Sequence, residues 1–290
     1  ELGGSAVTDE VLDAWGKAYG VLAGIFIGRE SEIYQERAAQ AGGWQGARPF
    51  IIKEKRKESE LITSFVLAPG DGQPVLRFKP GQYISIRLNH PTLEHQEIRQ
   101  YSLSDAPNGR DYRISVKREP QGQASNLLHD QLHIGDEVAL MPPAGDFFLQ
   151  TETATPVVLI SAGVGLTPML SMLNQLLAEQ AGTEIRWLHA CEHGAQHAFK
   201  EEIQIKSSQH ASLQSRVWYR TPAEQDVQGQ DYDFSGTLAL EQVTDLIPAN
   251  AHSYFCGPLG FMKAVKDQLS SLGVPADRMH YEVFGPHQDL

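Results

Sequence analysis

A continuous apolar run, followed by a glycine loop and an amphipathic helix, constrains the fold of this chain more than any other feature. The run is PVVLISAG at residues 156–163, of the kind that is buried on both faces of a parallel sheet. The loop GVGLTP follows, and leucines then recur at helical spacing in MLSMLNQLLAEQ, residues 169–180. The stretch predicts a β-loop-α unit of a parallel sheet.

The alternation of strands and helices continues to the end of the chain. Further strands are predicted in EIRWLHACE, RVWYR, SYFCG and RMHYEVFG, separated by helical patterns such as TLALEQVTDLI. Five strands with crossovers predict a doubly wound parallel sheet over residues 153–290. Ligands of such sheets bind beyond the carboxyl ends of the strands, so we expect the loops at residues 163–167, 191–193 and 256–259 to converge.

Before this sheet, the hydrophobic periodicity is that of strands. The glycine-rich segment AGGWQGARPF at residues 41–50 marks a boundary. Six short strands are predicted after it, at residues 50–57, 61–67, 82–88, 98–103, 112–117 and 138–141. They predict a closed antiparallel six-stranded β-barrel over residues 45–152. One helical turn at residues 125–132 interrupts it; Ser125 is expected to cap this turn, whose exposed amides would bind an anion.

Residues 1–44 predict one long helix and a linker. Thr8 is a candidate cap, and apolar residues recur at helical spacing over residues 11–33. Glu30 falls where this stripe continues, which indicates either a role for a charge on the buried face or a solvated helix end. A chain that opens without Met inside a helical pattern is expected to be a fragment of something longer.

Four glycines also form a face of this helix, each costing about 1 kcal/mol of helix propensity relative to Ala. They are Gly16, Gly20, Gly24 and Gly28. Such a face predicts a close neighbour, a helix or a cofactor, upstream of Glu1. A membrane span is not predicted, because the apolar stretch at residues 18–27 is half of the roughly 20 residues that a span requires.

Composition excludes some classes of function. The net charge of −12 and the pI near 5.3 argue against a nucleic-acid partner, because a duplex binder needs a basic stripe. The two cysteines, Cys191 and Cys256, are too few and too far apart for a disulfide framework, which favours a reducing, cytoplasmic location.

The six residues RQYSLS, at positions 99–104, combine a fixed cation, a phenol and two hydroxyls on one predicted strand. An aromatic ring can cover a planar ring, a guanidinium can bind a phosphate through two hydrogen bonds, and a hydroxyl can address a ring nitrogen. A flavin dinucleotide needs all three. Taken alone, the string is also consistent with an ordinary amphipathic barrel strand that carries one surface arginine.

The GVGLTP loop lacks the third glycine of the dinucleotide fingerprint, but its context fits. It follows a buried strand, Thr167 can cap the next helix, and Pro168 suits a first helical position. A pyrophosphate is favoured at such a helix start, although a structural tight turn is an alternative. Glu192 follows the next strand, where an acid accepts ribose hydrogen bonds and repels a 2′-phosphate, which favours NADH. Nearby arginines keep NADPH open; they are Arg186, Arg216 and Arg220.

Metal and serine chemistry find little support in the sequence. His189, Cys191, His193 and His197 have a spacing that would suit a metal on one helix, but the segment is predicted to run from a strand through a loop into a helix. The three histidines are therefore expected to diverge, and no metal site is predicted. The chain contains no GxSxG elbow.

Read in order, the RQYSLS strand, the GVGLTP loop, the CGP turn at residues 256–258 and the terminal YEVFGP resemble the ferredoxin-reductase-like flavoproteins. More narrowly, nine motifs resemble those of the bacterial flavohaemoglobins, which are nitric oxide dioxygenases. They are DAWGKAYG, AGGW, PGQY, HQEIRQYSLS, VKRE, PAGDFF, ISAGVGLTPML, YFCGP and HYEVFGPH. The resemblance covers nearly all of the chain. Of the globin domain that begins such proteins, only its last helix has a counterpart here.

The resemblance implies the binding residues. Those for FAD are Tyr83, Arg99, Gln100, Tyr101, Ser102, Ser125, Val283, Phe284, Gly285 and Pro286, and those for NAD(P)H are Ala162, Gly163, Val164, Gly165, Leu166 and Thr167. Within these sets, the resemblance places Tyr101 against the isoalloxazine, Arg99 at a phosphate and Ser102 near the ring nitrogen that accepts hydride. Phe284 would cover the face where nicotinamide must enter.

The resemblance also implies catalytic roles, which fall to Glu30, Tyr101, Ser102 and Glu282. Glu282 matches a position tied to redox tuning, and Glu30 matches an acid that supports the proximal haem ligand. The expected function is hydride transfer from NAD(P)H to FAD, and then single-electron transfer to a globin haem b that converts nitric oxide and oxygen to nitrate. The haem would belong to the globin domain that is absent from this chain, which by itself is expected to show diaphorase activity only.

Two alternatives remain open from the sequence. One is a stand-alone FAD-dependent reductase that serves an oxygenase or a ferredoxin. The other, from a different class, is a non-catalytic nucleotide-sensing or docking module that uses the glycine face of the first helix.

Overall fold

The computed structural model describes residues 8–150, 154–179 and 182–285. One long helix precedes an antiparallel six-stranded sheet, and a parallel six-stranded sheet with helices follows. The predicted fold class, an antiparallel β-barrel followed by a doubly wound parallel sheet, is confirmed.

Helix α1 spans Asp9–Ala38 and begins as predicted, with the Val11 amide donating to the Thr8 hydroxyl at 3.4 Å. None of its residues is buried. Trp15, Tyr19 and Phe26 on its apolar stripe are 69%, 72% and 65% exposed. A Cβ built on any of its four glycines has no neighbour within 4 Å. The described residues therefore leave both the apolar stripe and the glycine face of α1 uncovered.

By length and composition, α1 is apolar enough to cross a membrane. Core helices of soluble proteins and signal sequences meet the same criterion, so it does not by itself assign α1 to a membrane.

The six predicted strands of the barrel are all present. They are β1 (Arg48–Lys57), β2 (Ile62–Pro69), β3 (Tyr83–Leu88), β4 (Glu97–Ser102), β5 (Tyr112–Lys117) and β6 (Glu137–Leu140), paired antiparallel in the order β4-β3-β6-β1-β2-β5. A bridge between Leu103 and Ile114 joins the two edges just beyond β4, which closes the sheet. Apolar side chains fill the interior, and the Trp44 indole donates to the Leu140 carbonyl at 3.1 Å.

Helix α2 (Gln123–Asp130) lies between β5 and β6, and the prediction that Ser125 caps it is wrong. The cap position is Gly122, and Ser125 lies in the first turn. Its hydroxyl accepts from the Glu119 amide and donates to the Gly122 carbonyl, both at 3.1 Å. These two bonds stabilise the turn that leads into α2. At the other end, the Lys55 ammonium donates to the carbonyls of His129 and Leu132 at 2.7 Å, where a cation is favoured.

The second sheet is parallel throughout and has one strand more than predicted. Its elements are β7 (Val157–Ala162), α3 (Leu166–Glu179), β8 (Ile185–Cys191), α4 (Lys200–Gln209), β9 (Leu213–Tyr219), β10 (Phe234–Ser235), β11 (His252–Cys256), α5 (Leu259–Ser271) and β12 (Met279–Tyr281). The extra strand, β10, has two residues. The helix predicted in TLALEQVTDLI is a 3-10 segment, Leu240–Leu246, interrupted by the non-helical backbone of Val243.

The strand order β10-β9-β8-β7-β11-β12 reverses direction between β7 and β11. This is the topological switch point, where a doubly wound sheet binds its ligand. Two barrel residues, Ile62 and Phe147, pack in the core of the parallel sheet. The barrel and the parallel-sheet unit are therefore held together by apolar burial as well as by the connecting chain.

Candidate functional site

A cavity of about 1290 Å³ lies between the barrel and the carboxyl end of the parallel sheet. Most of the predicted site residues line it: Tyr83, Arg99, Gln100, Tyr101, Ser102, Ser125, Val164, Thr167, Glu282, Val283, Phe284 and Gly285. Residues far apart in the sequence, from β3, β4, α2, the GVGLTP loop and the end of β12, thus share one cleft.

Other predicted residues do not line the cavity. These are Ala162, Gly163, Gly165 and Leu166, at the end of β7, in the 3-10 turn and at the start of α3. Glu30 is on the exposed surface of α1, where its carboxylate accepts a hydrogen bond from the Tyr34 hydroxyl at 2.6 Å. Pro286 lies outside the described residues.

Strand β4 forms the aromatic wall of the cleft. Tyr101 packs against the barrel core, and burial raises the pKa of its hydroxyl to about 12, so it is a neutral phenol at pH 7. Ser102 is buried and pairs in register with Tyr83 of β3. A Cβ at Gly145, whose φ is +108°, would be 3.0 Å from the Tyr83 ring. Glycine at this position therefore lets the chain pass close to the tyrosine.

Two cations line the cleft, and each is paired with an acid. Arg99 is 2.5 Å from the carboxylate of Glu97, and Lys117 is 2.8 Å from that of Glu119. The N-terminal turn of α2 also lines the cleft, and no side chain caps its amides. Guanidinium, ammonium and free helix amides are the donors that a pyrophosphate requires.

The dinucleotide loop differs from prediction in two respects. Gly163–Gly165 forms a 3-10 turn and α3 begins at Leu166, so Thr167 is not the cap and Pro168 is the third helical residue instead of the first. The Thr167 hydroxyl instead donates to the Val164 carbonyl at 3.0 Å, because the 3-10 turn brings that carbonyl within reach. A Cβ at Gly165 would lie 2.3 Å from the Cys256 carbonyl oxygen. The loops after β7 and β11 therefore converge, as predicted, and the backbone of Gly165 packs directly against the backbone of Cys256 and Gly257.

The segment after β12 forms the third wall. Burial, and secondarily the charge of Asp146, raise the pKa of Glu282 to about 7, and one of its carboxylate oxygens is buried without a hydrogen-bond partner. The Cys256 thiol is fully buried, and burial raises its pKa well above the usual value. Phe284 is exposed at the cleft. A buried carboxylate oxygen without a partner marks a place where a polar ligand group fits.

The region after β8 shows how the adenosine end of a nucleotide could be read. Glu192 follows β8, and its carboxylate accepts from the Thr221 hydroxyl at 2.9 Å. Arg186 lies at the opposite end of β8, where it pairs with Glu184 at 2.7 Å. The Arg220 amide, by contrast, donates to the Cys191 carbonyl beside Glu192. Arg220 is therefore better placed than Arg186 to meet a 2′-phosphate.

The prediction that the three histidines diverge is wrong for two of them. The rings of His189 and His197 are 5.3 Å apart in the interior, because the chain folds back after β8. Each Nδ1 is 2.9 Å from a hydroxyl, that of Ser161 for His189 and that of Tyr219 for His197. Burial lowers the pKa of His189 to about 4, so its imidazole is neutral at pH 7. Within the described ranges, no group of three His, Cys, Asp or Glu is placed to hold a metal ion.

The cleft as a whole fits a flavin dinucleotide next to a nicotinamide nucleotide. Its aromatic wall suits a planar ring, its cations and free helix amides suit phosphates, and the switch point of the parallel sheet opens into it. These are the fold and site of a two-domain FAD- and NAD-binding oxidoreductase.

Comparisons with known proteins agree with this class. Residues 49–149 match the family described as oxidoreductase FAD-binding domain, and residues 159–267 match the oxidoreductase NAD-binding domain. A flavohemoprotein of Rhizobium meliloti is 47% identical over 292 residues, covering 99% of this chain and 72% of that protein. The chain therefore belongs to the flavohaemoprotein family.

Two solved structures are similar in fold. The flavohem-like FAD/NAD-binding domain of nitric oxide dioxygenase from Vibrio cholerae has a TM-score of 0.76 and 45% identity, covering 83% of this chain and all of that one. A flavohemoglobin from Malassezia yamatoensis with bound FAD and heme has a TM-score of 0.81 and 27% identity, covering 97% of this chain and 70% of that one. The flavohemoglobin match extends over more of this chain than the match to the isolated domain.

Sequence reasoning missed several residues that line the cleft: Glu97, Lys117, Glu119, Gln121, Asp146 and Phe147. A signal existed for Lys117, which ends β5 directly before the turn into α2. Asp146 lies in the PAGDFF motif, but no local pattern encodes its proximity to Glu282, which depends on how the two sheets pack.

Proposed function

We propose that this chain is the NAD(P)H:FAD reductase part of a nitric oxide dioxygenase. One observation carries the proposal: a single cleft collects the predicted FAD residues of the barrel, the dinucleotide loop at Val164 and Thr167, and the Glu282 segment. When bound, FAD would supply the chemistry that accepts a hydride and releases electrons one at a time.

Different residues of the cleft would bind different parts of FAD. Tyr101 would cover one face of the flavin ring, and Phe284 would cover the face that nicotinamide approaches. Arg99, Lys117 and the start of α2 would hold the phosphates of FAD. The protein's contribution is to align two rings and to exclude water from the space between them.

In the complete protein, we propose that the reductase serves a globin haem at which nitric oxide and oxygen become nitrate. The names of the Vibrio and Malassezia relatives support this. Helix α1 would be the last helix of the globin domain, within which Glu30 would act. The proposed domains are residues 1–44, 45–152 and 153–290. A cytoplasmic location fits Cys191 and Cys256, which are free and buried.

The test is a spectrum and an electron-transfer assay on the purified chain. With FAD added, we expect flavin absorbance that stays with the protein on gel filtration, and NADH-dependent reduction of an artificial acceptor such as ferricyanide. Protein that acquires no flavin would contradict the proposal. Protein that binds flavin and nucleotide without electron transfer in stopped flow would instead be a sensing module.

We propose a preference for NADH, based on the position of Glu192. The Glu192→Gln variant keeps the size of the side chain but removes the charge that would repel a 2′-phosphate. We expect kcat/KM for NADPH to rise about tenfold, the equivalent of about 1.4 kcal/mol, with a smaller change for NADH. The control is Glu241→Gln, at an exposed glutamate of the same parallel-sheet unit. If the ratio of kcat/KM for NADPH to that for NADH is the same in Glu192→Gln as in the wild type, Glu192 does not contact the adenosine end of the nucleotide.

The raised pKa of Glu282 predicts a pH-dependent stability. Because its pKa rises from 4.5 to about 7 on folding, the native state favours the protonated acid. The protonated acid's contribution to the free energy of unfolding is fully present below pH 4.5 and is lost as the pH rises to about 7. Relative to Glu282→Gln, the wild type should therefore lose free energy of unfolding between pH 5 and pH 8. Urea unfolding of both proteins measures this difference, and parallel pH profiles would contradict it.

A further inference from the structure

The segment that follows the flavin strand is bonded to the helix that follows the dinucleotide loop. Asp105 lies three residues beyond the end of β4, and its backbone carbonyl accepts from the Ser171 hydroxyl at 2.7 Å. Its carboxylate accepts from the Asn174 side-chain amide at 2.8 Å. Ser171 and Asn174 belong to α3, which begins directly after the GVG turn. Two hydrogen bonds thus connect the walls that would hold the two rings.

A buried arginine of the barrel extends this connection to α4. The Arg113 side chain on β5 is 9% exposed and donates to the Ser104 carbonyl. Its guanidinium lies 3.7 Å from the Asp105 carboxylate and 3.8 Å from that of Glu202 on α4. One buried barrel cation is therefore shared by acids from both units, whose side chains are 43% and 25% exposed.

Phe199 completes the arrangement. Its ring centroid is 5.3 Å from the Arg113 guanidinium, a cation–π distance. Phe199 immediately precedes α4 and has a φ of +59°, in the left-handed region, which costs a non-glycine residue about 1–2 kcal/mol. Its side chain is almost fully buried in the core of the parallel sheet. Packing therefore holds this backbone in an unfavourable conformation that keeps the ring beneath the arginine.

We infer that Asp105 and Arg113 are positioning residues that fix the distance between the flavin wall and the nucleotide loop. The inference rests on the proposed function. Neither residue lines the cleft, so neither would touch a cofactor. Hydride transfer requires reacting atoms about 3–3.5 Å apart, and a displacement of about 1 Å can cost about 100-fold in rate. Contacts that set the relation between the two units therefore control this step without taking part in it.

The main test replaces Arg113 by Met in the FAD-loaded chain. We expect anaerobic flavin reduction by NADH to slow about tenfold or more, with FAD affinity unchanged. The charge-transfer absorbance of stacked nicotinamide and flavin should weaken, and amide hydrogen exchange in α4 should rise. Arg113→Lys, which keeps the charge, should restore part of the rate. The variant is expected to fold, because the Glu60 amide still donates to the Ala195 carbonyl and Ile62 remains packed in the core of the parallel sheet.

Arg48→Met is the matched control. Arg48 is also nearly buried at 11% exposure, pairs with the carboxylate of Asp71, donates to backbone carbonyls and lies 5.6 Å from the Phe50 ring, but all of these groups belong to the barrel. Its loss should lower stability without slowing flavin reduction in the folded protein.

A second variant keeps the inference testable if Arg113→Met does not fold. Asn174→Ala removes only the bond to Asp105, and it should slow flavin reduction and weaken the charge-transfer band in the same direction. Wild-type rate and charge-transfer absorbance in the variant or variants that fold would overturn the positioning role. A wild-type chain that binds no FAD would overturn the proposed function instead, so the two failures are distinguishable.

Discussion

Gly165→Ala is expected to destabilise the protein by about 3 kcal/mol and to weaken nucleotide binding by at least about tenfold. The added Cβ would lie 2.3 Å from the Cys256 carbonyl oxygen and 2.8 Å from the Gly257 amide nitrogen. Both neighbours are backbone atoms of the β11 turn, so relief requires the loops after β7 and β11 to separate. That separation would open the switch point, where we place the nucleotide.

Gly163→Ala is the matched control within the same loop. At Gly163 a Cβ has no neighbour within 4 Å, and the only penalty is its φ of +52°, which costs about 1 kcal/mol. Urea unfolding gives the two free energies, and quenching of flavin or tryptophan emission by NADH gives the affinities. Equal urea midpoints for Gly165→Ala and the wild type would show that the β7 and β11 loops are not in the contact described.

Tyr101→Ala is expected to weaken FAD binding by about 100-fold, or about 2.7 kcal/mol, because stacking on an aromatic side chain is worth about 1–3 kcal/mol per base. The tyrosine ring lies on the cleft wall and is supported from behind by the barrel core. Fluorescence titration of the apoprotein with FAD measures the loss.

Tyr101→Phe separates the ring from its hydroxyl. With a pKa of about 12, the Tyr101 hydroxyl stays protonated and uncharged near neutral pH. Its removal therefore takes no charge away from the FAD site. We expect an affinity within about fivefold of the wild type, since a typical net hydrogen bond is worth about 1 kcal/mol. If Tyr101→Ala binds FAD as tightly as Tyr101→Phe, the ring does not stack on the flavin.

Secondary structure could be predicted from local patterns to within a few residues. The run at residues 156–163 became β7 because a doubly buried strand has to be apolar on both faces, and period two located all six barrel strands. The short strand β10 was missed, because two residues are too few to show the alternation of apolar and polar side chains that marks a strand. Val243 breaks the helix predicted around it, although the letters alone fit a helical pattern.

Side-chain roles were predicted less well, because they depend on geometry that no local pattern encodes. Ser125 and Thr167 were both assigned as caps on residue type, yet each hydroxyl donates to a carbonyl three residues earlier. His189 and His197 meet because the chain turns back after β8, and Asp105 meets Asn174 because the two sheets pack together. Residue type predicted the chemistry of the cleft, and packing decided which atoms meet.

The contact between Lys55 and the end of α2 has a consequence for the supply of cofactor. Lys55 of the barrel donates to the carbonyls at the C-terminal end of α2. The N-terminal amides of α2 line the cleft, where they can bind an anion. A ligand that binds only the native state adds about 2.7 kcal/mol of stability at 100 times its dissociation constant. If FAD supplies that anion, the folded fraction of newly made chains would follow the flavin concentration of the cell, and starvation for riboflavin would deplete the protein itself as well as its activity.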